Sequence, residues 1–125
     1  MLRATLMTNG ISTALFGLAL LVAPGPLAPL LGVPGPGILA AAGAGLLVYA
    51  AGLFVTAAQQ PISPAAAWTA IVMDVGWVIG SVILLEIGVL TPIGSGLVSL
   101  VAAVVLVFAA LQYRGVRRLT HPVAA

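Results

Sequence analysis

The chain has 125 residues, 62% hydrophobic and only 5% charged, with four Lys/Arg against two Asp/Glu and a formal net charge of +2. A soluble domain carries about 25% charged residues, so water is excluded as the solvent for most of this surface and bilayer hydrocarbon is the one that suits it. Cysteine is absent and His121 is the single histidine; disulfides, thiol chemistry and a Cys- or His-built metal centre are excluded, and neither metal nor cofactor is expected.

Four apolar stretches of roughly 20 residues meet the length of a membrane-spanning helix. The first is Leu2–Ala23. Met1-Leu2-Arg3 ahead of apolar residues has the look of a leader, but Thr5, Thr8, Asn9, Ser12 and Thr13 interrupt the run, so a helix is expected. At 3.6 residues per turn, Thr5, Asn9, Ser12, Thr13 and Phe16 share one face. The connection after it, PGPLAPLLGVPGPG, is punctuated by Pro and Gly. Leu27, Leu30, Leu31 and Val33 nonetheless make it apolar. It is expected to fold back on the outer membrane surface as a short interfacial helix, or to close over a cavity.

The second helix, Gly37–Ala58, aligns Gly45, Tyr49, Gly52 and Thr56, a face that continues to Gln59. The third, Pro64–Ile87, carries Asp74 near its middle, on a face with Ala67, Ala70, Trp77 and Ser81. An ionisable group at that depth costs about 2.5–3.5 kcal/mol on insertion scales and marks a functional site by default. Nearly opposite lie Gly76 and Gly80, a G-x-x-x-G strip on which a second helix can approach closely. They are the expected interface of a homo-dimer or with another membrane subunit. Glu86 falls at the outer end as an interfacial carboxylate. The fourth helix, Pro92–Tyr113, aligns Ser95, Ser99, Ala102, Ala109 and Tyr113, and a short basic tail, 114–125, follows.

Arginine placement sets the topology. Arg3 stands at one end of the chain, Arg114, Arg117 and Arg118 at the other, and the connections contain no Lys or Arg. Both termini on the cytoplasmic side satisfy this, with an even number of spans. The basic cluster is therefore a topology signal that touches headgroups, not a nucleic-acid site. Trp68 and Tyr113 are expected as aromatic anchors at the same interface. Together these features predict one all-α transmembrane domain, an antiparallel four-helix bundle.

Asp74 lies roughly 15 Å from the inner boundary at 1.5 Å per residue. Asn9, Ser12, Thr13 and Tyr49 reach a similar level, so the candidate ligand-binding constellation is Asp74, Asn9, Ser12, Thr13, Tyr49 and Trp77, with Phe16 as a wall. Two readings of Asp74 stand side by side: a polar group that fixes helix register, and one that works on a ligand. A weak echo at a spacing of 63 sets Gly17, Leu21, Gly25, Leu27 and Pro29 against Gly80, Leu84, Gly88, Leu90 and Pro92, as a duplicated helix pair would.

In ALFGLALLVAPGPLAPLLG, in Asp74-Val75-Gly76-Trp77 and in Leu111-Gln112-Tyr113-x-Gly115-x-Arg117-Arg118, the chain resembles a widespread group of small, uncharacterised bacterial four-helix integral membrane proteins. The resemblance implies the fold, a multi-pass place in a bacterial inner (cytoplasmic) membrane and a recurring acidic-x-x-Trp element, and no chemistry. Function then has three candidates. The first is a binding or accessory membrane subunit with a polar midplane site around Asp74. The second is a small-molecule or proton-coupled transporter working as a homo-oligomer. The third is a membrane-embedded lipid- or isoprenoid-modifying enzyme with Asp74 as general acid; it lacks a second acid near Asp74.

Overall fold

The computed structural model describes residues 2–120; Met1 and His121 lie outside them. Among the described residues there are five helices and no strand: α1 (Leu2–Val22), α2 (Pro24–Leu31), α3 (Pro36–Ala58), α4 (Pro64–Ile87) and α5 (Pro92–Thr120). All but α2 are long and apolar enough to cross a membrane, which fits a multi-pass membrane protein.

The boundaries follow from local chemistry. Prolines open α2, α3 and α4, where a missing N–H costs nothing and φ is already set for a helix. Ser63 caps α4, its hydroxyl accepting from Ala66 N at 3.3 Å. Thr91 does the same for α5, accepting from Gly94 N at 3.0 Å. Gly32 and Gly88 end α2 and α4 with φ of 87° and 77°, a left-handed conformation that favours glycine. The largest departure from expectation is α5. It runs seven residues past Tyr113 to Thr120, because Leu, Val and Arg support a helix and no proline intervenes before Pro122. Much of the expected basic tail is thus helical.

The helices form two pairs. α1 lies along α3 and α4 along α5, α1 also meets α5, and α3 and α4 barely touch. Contacts within a pair run in reverse order. Arg3 meets Ala57 and Gln59, Gly10 meets Phe54, and Gly17 meets Gly43; Trp68 meets Tyr113 and Asp74 meets Gln112. The short helix α2 stands between the helices of the first pair, whereas the link in the second pair, 88–91, has no helix.

Small residues set the closest approach. A Cβ on Gly43 would stand 2.6 Å from the Gly17 carbonyl oxygen, and one on Gly115 would stand 2.8 Å from Leu2 Cβ. Two of the expected faces need correcting here. On α3 the expected face holds in part, with Thr56 buried and Gly45 and Tyr49 bordering the space between the helix pairs, but Gly52 is exposed and Gly43, Ala50 and Leu53 are buried instead. On α5, Ala109 is the one residue of the expected stripe that is buried; Ser99 and Tyr113 are exposed and the buried side is Ala109, Gln112, Gly115 and Val116. The reason is that α5 touches α1 near its C-terminal end and α2 at its start, and its middle borders open space.

Two apolar cores result. One joins Leu2 and Leu6 to Leu53, Ala57, Ala67, Ala70, Ile71 and Val116. The other joins Leu20, Ala28 and Leu39. At the first end, Arg3 donates from Nε to the Ala57 carbonyl and from Nη2 to that of Gln59, both at 2.7 Å, satisfying the open carbonyls of α3 with a cation where the helix dipole is negative. Nearby, Tyr113 stacks edge-on against Trp68 at 5.6 Å and lies under Arg117 at 5.7 Å. At the other end, α2 is fastened to the start of α5. Thr91 donates from its hydroxyl to Leu30 O at 2.6 Å and from its backbone N to Leu31 O at 3.2 Å, and Gly94 packs directly on the Leu31 carbonyl.

Candidate functional site: a polar node at the end of an apolar cleft

Asp74 is 2% exposed and receives a donor from each of the other three long helices. From α1, Asn9 Nδ2 donates to Oδ2 at 2.9 Å. From α5, Gln112 Nε2 donates to the same oxygen at 2.9 Å. From α3, the Tyr49 hydroxyl is 2.7 Å from Oδ1 and 3.0 Å from the Ala70 carbonyl oxygen. The second N–H of Asn9 goes to Gln112 Oε1 at 2.9 Å, and its own Oδ1 accepts from Thr13 at 3.1 Å. Every polar atom of the carboxylate and of the Asn9 amide therefore has a partner. That is the condition under which such groups are tolerated at low dielectric.

Open space lies between the two helix pairs, beyond the node. A first cavity of about 460 Å³ has Asn9, Thr13, Tyr49 and Asp74 at its polar end and Phe16, Leu46, Trp77, Val101 and Phe108 among its walls. A second, of about 530 Å³, is lined almost wholly by apolar side chains and reaches Leu27 and Leu31 beside α2. Phe16, Ala42, Trp77 and Val101 belong to both. The Phe16 and Trp77 rings meet edge-on, 6.4 Å apart at 85°, and form a waist between two chambers. Trp77 Nε1 is the one buried side-chain polar atom without a hydrogen-bond partner among the described residues.

The sequence-predicted residues divide accordingly. Asn9, Tyr49 and Asp74 meet directly, and Thr13 joins through Asn9. Ser12 stands on the wall of the first cavity, exposed, and does not reach the carboxylate. Trp77 and Phe16 are walls, as expected. Gly76 and Gly80 are exposed, an added Cβ on either would meet nothing within 4 Å, and both line the second cavity. Gln112 is the member that sequence reasoning missed. Its signal was present: an amide in the last apolar turn before the arginines. Ending the helix at Tyr113 made it look like a boundary residue, whereas the longer α5 brings it inside with no exposure. Among the described residues, no three of His, Cys, Asp and Glu converge to hold a metal ion.

Chemically, the node as it stands is a closed clamp. A ligand that engaged the carboxylate would have to displace a donor, whereas one seated on the apolar walls of the cleft would leave every donor in place. Comparison of the chain with protein-family models, with curated proteins and with solved structures finds no match.

Proposed function

We propose that this chain is a small binding subunit of a bacterial inner membrane: an antiparallel four-helix bundle with both termini cytoplasmic, whose cleft takes a molecule with a hydrocarbon chain. The observation that carries this reading is the pair of adjoining cavities, about 460 and 530 Å³, sharing an aromatic waist and ending at a satisfied polar node. Sites for small molecules are typically of about 300–1,000 Å³, mostly apolar, with few convergent polar groups. In a bilayer the surrounding solvent is itself the source of such chains. The resemblance to small four-helix membrane proteins agrees with this reading and adds no ligand.

An enzyme using Asp74 as general acid is less well supported, since the group is 2% exposed and already holds three donors. The homo-oligomer reading draws on exposed Gly76 and Gly80, where a second copy would cover the rim of the second cavity.

The test is native mass spectrometry of the protein released from nanodiscs, with Ala42→Phe as the blocking variant because Ala42 walls both chambers. The expected result is one retained hydrocarbon-chain molecule per chain, lost in Ala42→Phe while helicity is kept. Equal retention by both proteins, or none by either, would remove the cleft as the site.

A further inference from the structure

We propose that Asp74 and Tyr49 form a one-proton site whose two protonation states share one set of heavy-atom positions, so that the carboxyl takes up and gives back a proton without parting the helices. This goes beyond the cleft reading and does not depend on it.

The Tyr49 hydroxyl has one proton and two acceptors in reach, Asp74 Oδ1 at 2.7 Å and Ala70 O at 3.0 Å. With the carboxylate ionised, the tyrosine donates to Oδ1. When a proton arrives, an O–H bond forms on Oδ1 and donates to the tyrosine oxygen, and the tyrosine proton turns to the Ala70 carbonyl. One proton has entered from solvent, no other bond to hydrogen has broken, and no heavy atom needs to move. Oδ2 is unsuited to the added proton because it already accepts from Asn9 and Gln112, both at 2.9 Å. As the carbonyl oxygen of the neutral acid it retains both. The side chain is thus divided into a fixed oxygen that ties α1 and α5 to α4 and a switchable oxygen shared with α3.

The surroundings supply no competing charge. On the elements packed around the carboxyl, α1 presents Asn9 and Thr13, α3 presents Tyr49 and α5 presents Gln112, of which Tyr49 alone is titratable. Arg3 is held by the Ala57 and Gln59 carbonyls. Glu86, on the same helix as Asp74, is twelve residues away and exposed. Taking a proton is then the route by which this site becomes neutral at low dielectric, where an unpaired charge is most costly. Asp74 and Tyr49 both line the first cavity, so one side of the pair borders open space and not packed protein.

Asp74 is the single aspartate of the sequence, so aspartate labelled with ¹³C at Cγ reports it alone. In nanodiscs, its NMR signal should pass between the acid and carboxylate positions as pH is varied, while the side-chain N–H signals of Asn9 and Gln112 persist at nearly constant shift. Tyr49→Phe keeps the ring and removes the hydroxyl. The lost bond is stronger to the charged carboxylate than to the neutral acid, so proton binding should tighten by about tenfold, one pH unit at the midpoint. A signal fixed in one form over the whole range in which the protein stays folded would overturn the proposal. So would loss of the Asn9 and Gln112 signals in step with the titration, or an unchanged midpoint in Tyr49→Phe.

Discussion

The two ends of the cleft are closed by different chemistry. At one end, four helices meet through side chains: a carboxylate, two amides and a phenol, each hydrogen bond requiring a particular residue. At the other, α2 and the start of α5 meet through main-chain carbonyls and one glycine, with the Thr91 side chain bonding across. A side-chain node can exchange a proton or a partner, since its geometry depends on groups that titrate and rotate. A main-chain junction has no such freedom and serves as an anchor. The molecule therefore has a fixed end and an adjustable end, with the cleft between them.

Three substitutions probe that contrast. The largest effect is expected from Asp74→Ala, which leaves one N–H of Asn9 and one of Gln112 buried without their acceptor, while the Tyr49 hydroxyl turns to the Ala70 carbonyl. At roughly 1–3 kcal/mol for one such stranded group, the loss should be on the order of 3 kcal/mol in an unfolding titration in bicelles. A cost under about 1 kcal/mol, the range of average interhelical hydrogen bonds in membranes, would erase the distinction between the ends. Gly94→Ala drives a Cβ into the Leu31 carbonyl, an overpacking of about 1–3 kcal/mol. It should increase hydrogen exchange in α2 while leaving the Asp74 environment unchanged. The smallest effect belongs to Gly76→Ala. Its added methyl meets nothing within 4 Å, so stability should hold or rise by up to about 1 kcal/mol through helix propensity. A marked loss would show instead that this face is covered by a second copy.

How much of this could be read beforehand depends on which part is considered. Helix ends were legible where proline or glycine marks them: α4 begins at Pro64 and ends at Ile87 as the pattern required. The meeting of Asn9, Tyr49 and Asp74 was legible because 3.6-residue periodicity and 1.5 Å rise fix both face and depth, and few residues in so apolar a chain are polar. The face of α5 was not legible. It is apolar nearly all round, so Ser95 and Ser99 do not single out the buried side, and Gln112, one residue before the aromatic Tyr113, reads as a boundary residue. The cleft was invisible for another reason: it is space left where helices diverge, and no period in a sequence encodes an absence of contact.

The weak contact between α3 and α4 has a consequence for how the chain tolerates being divided. These helices are neighbours in sequence, joined by only five residues, yet each does its packing elsewhere, α3 on α1 and α4 on α5. The link at 59–63 holds to the core through Ile62 and to α1 through the Arg3 bond to Gln59, so it is fastened at points that do not depend on α3 packing along α4. A protein severed there would yield two fragments, each a complete helical hairpin, and their reunion would be governed by the α1–α5 contact and the residues around Asp74. Separately inserted halves are therefore expected to reassemble on co-expression, and Asp74→Ala in one half should weaken that reassembly in a pull-down of the other.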